Sequence, residues 1–188
     1  MRTLLAGVAI GLVIQVVTTI SWMALPFHGE SLRSFPHGRE ASVEFLAPFA
    51  EPGVYHFPGF ADDMEETVRL AKEGPVVTKM VVHPGGLDPF AAGTFLLSIA
   101  TNLLAGVVGA GLIAVARPRL TGLASQAGFG FGIGALICFS AVGTEAIWWA
   151  YPGAFALLTA IDHLVVWTLA GIVAPRVLPS PESVDESQ

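Results

Sequence analysis

The stretch Leu157–Val173, LLTAIDHLVVWTLAGIV, places a carboxylate and an imidazole side by side in an otherwise apolar run. Asp162 and His163 are the residues here most capable of chemistry. A carboxylate at the centre of a membrane helix costs about 2.5–3.5 kcal/mol on insertion scales. It must therefore be protonated, share a proton with His163, or be hydrogen-bonded by other polar groups. Three other apolar stretches supply such groups. Gln15, Asn102 and Cys138 each lie about as far from the end of their stretch as Asp162 lies from Pro152, roughly 15 Å at 1.5 Å per residue. The sequence thus predicts a midplane centre of Asp162, His163, Asn102 and Gln15. Thr159, His163 and Trp167 fall at helical spacing, which puts the indole of Trp167 against the imidazole.

Each polar group continues a stripe with steps of three and four. The stripes are Gly7, Gly11, Gln15, Thr18 or Thr19, and Trp22; Thr94, Ser98, Asn102, Gly106 and Gly109; and Gly130, Gly134, Cys138, Ala141, Glu145 and Trp148. Such steps lie on one helix face, and small residues there let backbones approach. The stripes predict the inner faces of one four-helix bundle. Gln15, Asn102, Ser98 and Thr101 then act as hydrogen-bonding glue. Glu145 has two readings: an acid near the interfacial aromatics Trp148, Trp149 and Tyr151, or an outer relay between water and Asp162.

The elements that must hold these groups follow from composition. Of 188 residues, 53% are hydrophobic and 13% charged, against about 25% charged in soluble domains. Four stretches reach the ~20 residues that cross a bilayer: 4–25, 89–116, 120–149 and 152–174. The division is a first transmembrane span over 1–25, an insertion over 26–88, three further spans over 89–176 and a disordered cytoplasmic tail over 177–188. The first span is too long for a signal-peptide core and lacks a small-x-small cleavage site, so it reads as an uncleaved anchor. Arg2, Arg117, Arg119 and Arg176 flank the spans on one side, which the positive-inside rule makes cytoplasmic. The N- and C-termini are then inside and the insertion outside.

The insertion is proline-rich, so short elements are expected. REASVEFLAPF carries Val43, Phe45, Leu46 and Phe49 at near-helical spacing. ADDMEETVRLAKEG is the best soluble helix, with Asp62 as its cap, acids in the first turn, Lys72 in the last and Gly74 after it. GVYHF and VVTKMVV read as a strand pair. The fold class is therefore an all-α membrane protein: a four-helix transmembrane bundle with a small α+β extracytoplasmic insertion between spans one and two.

His28, His56 and His83 sit beside prolines and glycines around this insertion. Imidazoles suit zinc, copper or haem iron, but their spacing matches no metal motif, and local turn hydrogen bonds are the expectation. No cofactor is expected. One cysteine excludes an internal disulfide, and a net charge of −6 without basic clusters argues against nucleic acid. There is no HExxH and no nucleophile with a base at motif spacing. GFGFGIG (128–134) does not follow a strand, so it is no nucleotide loop.

The fragments SWMALPFH and GVYHFPG, with the four-span layout, resemble an uncharacterised family of small bacterial four-span membrane proteins. The resemblance implies the bacterial cytoplasmic membrane and brings no catalytic residue. The expected role is a non-catalytic accessory or interaction subunit of a larger membrane assembly. Its partner would be another protein or a second copy, met through the glycine-rich helix faces and the acidic outer segment. The alternative is a small ion- or proton-handling protein working through Asp162, His163 and Asn102.

Overall fold

The computed structural model describes residues 1–59 and 63–179. The chain is mostly helical, with a two-stranded sheet. It divides into two compact units. One comprises Met1–Leu32, Phe90–Ile147 and the chain from Tyr151; the other comprises Arg33–Pro89 with Trp148–Ala150.

The first unit contains four helices long and apolar enough to cross a membrane. The first is α1 (Arg2–Thr19), which continues through a π turn, Ile20–Ala24. Leu25 is extended and Pro26 opens a short α2 (Phe27–Ser31). The second long helix is α5 (Ala92–Ala116), the third α6 (Leu123–Ile137) with its π segment Cys138–Gly143 and α7 (Thr144–Trp148), and the fourth α8 (Gly153–Val177). The insertion expected from Pro26 thus starts later, because α2 belongs to the helical unit. Of the tail expected over 177–188, the part from 180 onward lies outside the described residues.

Glycine decides which helices touch. A Cβ on Gly106 would collide with the Gly7 carbonyl, and one on Gly11 would stand 2.8 Å from Leu103 Cα. These residues form an α1–α5 seam. Across α6 and α8, a Cβ on Gly130 would strike the Trp167 carbonyl, and one on Gly171 the Gln126 carbonyl. That is a second seam. α1 also packs on α8 through Ala6, Ile10 and Ile14 against Val166, Trp167 and Ala170, the buried core of the unit. The α5 and α6 helices, consecutive in sequence, make little contact with each other among the described residues. The stripes therefore mark two pairwise seams rather than one central axis. A close approach of two backbones joins only the two helices that make it, so four stripes need not converge.

The apolar surface is large. Leu96, Leu97, Leu104, Val108 and Val115 of α5 and Phe131, Leu136 and Phe139 of the third long helix are all exposed. In water such faces would drive association; they fit a hydrocarbon surround. At the other end of the helices, Arg117 Nη2 donates to the carbonyl of Pro175 (3.2 Å) in the last turn of α8. A cation suits a helix C-terminus.

The second unit holds α3 (Gly38–Leu46), β1 (Gly53–Phe57), α4 (Met64–Glu73) and β2 (Val77–Val82). Pro48 disfavours helix at the preceding residue, and α3 ends just before it. The β1 and β2 strands pair antiparallel, Gly53 opposite Val82 and Phe57 opposite Val77, with an irregularity between Tyr55 and Phe57. The expected strand–helix–strand order is present. The expected cap Asp62 lies outside the described residues, and Asp63 caps α4 by accepting from the Glu65 N–H (2.8 Å). Arg69 bonds both Glu66 and Glu73 on the exposed face of α4, which holds the Glu66 carboxyl below its usual range. Gly74 then ends the helix at φ 61°, a conformation that favours glycine. An aromatic run, Phe35–Phe45–Phe49–Tyr55, ties α3 to β1.

Two glycines of α5 separate packing from propensity. Gly106→Ala forces α1 and α5 apart and should lower stability by at least about 1–3 kcal/mol. A Cβ added to Gly111 would have no neighbour within 4 Å, so Gly111→Ala should be neutral or stabilising by about 0.5–1 kcal/mol. Thermal unfolding in mild detergent checks both; equal effects would contradict the seam.

Candidate functional site

Gln15 and Asn102 do meet. Gln15 Oε1 accepts from Asn102 Nδ2 (2.8 Å) and from Ser98 Oγ (3.3 Å), while its Nε2 donates to Thr19 (3.2 Å). This is a clamp across the α1–α5 seam. Neither Asp162 nor His163 belongs to it.

Asp162 finds other partners. Ser21 Oγ donates to its Oδ1 at 2.6 Å, and His28 Nε2 lies 3.0 Å from its Oδ2. Ser21 Oγ is also 3.1 Å from His28 Nε2. His28 is 2% exposed and the Asp162 side chain 15%. Ser21 lies six residues beyond Gln15 along the first helix, which separates the two polar groups by about 9 Å. The single midplane centre is thus two centres at two levels. Cys138 belongs with the second level: its Sγ donates to the Ala160 carbonyl at 3.3 Å.

His163 is not the partner of Asp162. Adjacent helical residues point about 100° apart and do not face each other. His163 instead lies where α8 passes α6, its carbonyl 2.8 Å from a Cβ built on Gly134. Nor does Trp167 lie on its imidazole. The indole fills the space over Gly109, where a Cβ would come within 2.5 Å of Cζ3.

Local chain geometry brings the three cluster residues together. Ser21 is seven residues after Ile14 and fourteen after Gly7, on the buried side of α1. The π turn ends at Leu25, and α2 then folds back against α8, which delivers His28 to Asp162. Trp22 stacks on the imidazole of His28, ring centroids 3.9 Å apart and planes 11° from parallel.

The distances constrain which groups can donate. An O–H···O contact of 2.6 Å is in the range of a hydroxyl donating to a carboxylate. With its proton on Asp162, Ser21 presents only lone pairs to His28, as does the carboxylate. With hydrogen on Nε2, His28 donates between them. Among the described residues, His28 Nδ1 is buried and has no hydrogen-bond partner. This arrangement is not that of a serine nucleophile. There the hydroxyl donates to a histidine lone pair and the carboxylate holds the opposite ring nitrogen. Here serine and carboxylate share one ring nitrogen, and the serine proton is already bound to the acid.

Glu145 accepts from the Tyr151 hydroxyl (3.0 Å). It lines a cavity of about 320 Å³ together with Trp22, Phe155 and Thr159. Trp22 thus stands between this cavity and His28. A second cavity, of about 270 Å³, borders Ser21, His28 and Asp162 directly. Of the outer histidines, only His28 lies in the helical unit; His56 and His83 lie in the other. His56 Nδ1 is 3.0 Å from the Pro58 carbonyl, a local turn contact. Among the described residues, no three His, Cys, Asp or Glu side chains gather as a metal site would require.

Sequence reasoning named Asp162 and His28 but did not join them, and it missed Ser21. The signal for Ser21 was its heptad spacing from Gly7 and Ile14. The signal for His28 was the Leu25–Pro26 break, which lets the chain reverse.

The cluster makes a graded prediction for thermal unfolding in detergent. Asp162→Leu strands the Ser21 hydroxyl and the His28 N–H and should lose about 3–5 kcal/mol. Ser21→Ala should lose about 1–3 kcal/mol. Asp162→Asn keeps an acceptor for Ser21 and should fall below the leucine variant's loss. Asp162→Leu without a stability loss would contradict the geometry. No family model, characterised protein or solved structure matches this chain, and the site rests on its own geometry.

Proposed function

We propose that this chain is a multi-pass protein of the bacterial cytoplasmic membrane, acting as a non-catalytic accessory or interaction subunit of a larger assembly. One observation carries the reading. The α6 helix has two small-residue faces. Gly130 and Gly134 are spent on α8, but among the described residues nothing lies within 4 Å of a Cβ added to Gly128 or Gly132, and Ala124 beside them is exposed. Small residues at i, i+4 and i+8 are the pattern on which apolar helices associate. A face of that kind left open within one chain fits a helix of another chain. The bonding of Ser21 also supports a non-catalytic role, since its proton is committed to Asp162.

In this reading Arg2, Arg117, Arg119 and Arg176 are cytoplasmic and the segment 26–88 extracytoplasmic, by the positive-inside rule. Ion or proton handling is the second reading, and the cavity beside the Asp162 carboxylate favours it. Against it, the next polar level inward is Gln15 and Asn102, which do not ionise.

Two experiments test the proposal. Gly128→Ile with Gly132→Ile should leave the unfolding temperature of the isolated chain unchanged and shift the native complex in membranes to the size of the single chain. An unchanged complex would remove α6 as the interface. Single cysteines at Ser42 and Ser125, in a Cys138→Ala background, should label from opposite sides of the membrane. Labelling of both from the cytoplasmic side would overturn the orientation.

A further inference from the structure

The 270 Å³ cavity beside the Asp162 cluster has an uneven lining. Three polar residues, Ser21, His28 and Asp162, border it; the rest are apolar, among them Val17, Phe27 and Leu158. Ile20, Leu25, Phe27, Ile161 and Val165 of the lining are themselves exposed on the apolar helix surface. The cavity therefore adjoins the side of the helices that fits hydrocarbon.

The polar residues are short of donors. A carboxylate offers about four lone-pair sites. Asp162 uses one for Ser21 and one for His28, and its side chain keeps 15% exposure. Among the described residues, His28 Nδ1, on a side chain 2% exposed, has no hydrogen-bond partner. A buried polar group without a partner is costly. A ligand that brings a donor fills an open lone-pair site on Asp162.

We infer that the cavity binds the hydroxyl head of a membrane-borne amphiphile, its O–H donating to the Asp162 carboxylate and its tail lying along Ile20, Leu25, Ile161 and Val165. The chemistry of the head follows by elimination. An anion would meet the Asp162 carboxylate with no lysine or arginine in the lining. An ammonium brings three donors and a full charge into a wall otherwise apolar, and its surplus N–H groups would be stranded. A hydroxyl brings one donor and no charge. The volume is below the ~300 Å³ at which sites for drug-sized ligands begin, so it takes a head group and leaves the tail outside. A quinol, through its phenol, and a diacylglycerol, through its alcohol, both carry such a head.

The test uses the full chain in phosphatidylcholine nanodiscs, whose lipid has no hydroxyl head. Trp22, stacked on His28, reports by its fluorescence, and Trp22→Phe identifies its signal. The probes are decyl-hydroquinone, its dimethyl ether, 1,2-dioctanoylglycerol and decylamine. The expected result is saturable binding of the hydroquinone, the glycerol or both, whichever is tighter naming the source, with the ether about tenfold weaker. Val165→Phe, which fills the cavity while keeping all three polar residues, should weaken binding at least about tenfold, and Asp162→Asn about tenfold. The inference is overturned if neither hydroxyl probe saturates, if the ether binds as tightly as the hydroquinone, if decylamine binds more tightly than both, or if Val165→Phe changes nothing.

Discussion

The helical unit is organised around one carboxylate set within an apolar helix. Asp162 lies nine residues inside an apolar helix, and an unpaired charge in such a place is far more expensive than any single apolar contact can offset. The chain answers with one hydroxyl and one N–H, Ser21 and His28. Satisfying that acid fixes several other features at once. The π turn at Ile20–Ala24 ends α1 beside α8, the Leu25–Pro26 break reverses the chain, and α2 carries an imidazole back to the acid. Trp22 then covers the imidazole face. The acid is a clasp between the first and last long helices, which also pack together through Ala6, Ile10 and Ile14.

The glycine seams and the polar clasp divide the work. Dispersion between close backbones joins α1 to α5 and α6 to α8, and each seam is extended by small residues along the helices. Neither seam selects the third contact, between α1 and α8. That contact brings together the two helices holding the charged residue and its donors. Apolar packing tolerates sliding, whereas a carboxylate with two directional donors does not. The clasp therefore supplies register where the apolar surfaces supply affinity.

Much of this was legible in the sequence, and the failures share one cause. Length and hydropathy located the four helices, and turn chemistry located the strand–helix–strand order of the smaller unit. Helical periodicity correctly paired Gln15 with Asn102 and identified Asp162 as the group needing partners. It failed at tertiary choice. Counting residues inward from each helix end assumed that all four ends are level. Ser21, three residues from the end of its helical segment, meets an acid nine residues into α8, so the ends are staggered. The neighbour His163 looked like the natural partner only because sequence adjacency suggests contact, and helix geometry denies it. The true partner, His28, lay in what read as a loop beyond the first span. A five-residue helix with a proline start carries no periodic signal strong enough to announce itself.

The most direct measurement of the clasp is the identity of the imidazole beside Asp162. In protein labelled with 13C-aspartate and 15N-histidine and reconstituted in lipid, magic-angle-spinning NMR reads the dipolar coupling between the Asp162 carboxyl carbon and nearby imidazole nitrogens. The expected result is a coupling between the Asp162 carboxyl carbon and Nε2, lost in His28→Asn and retained in His163→Asn. A coupling that disappears with His163 and survives loss of His28 would contradict the clasp.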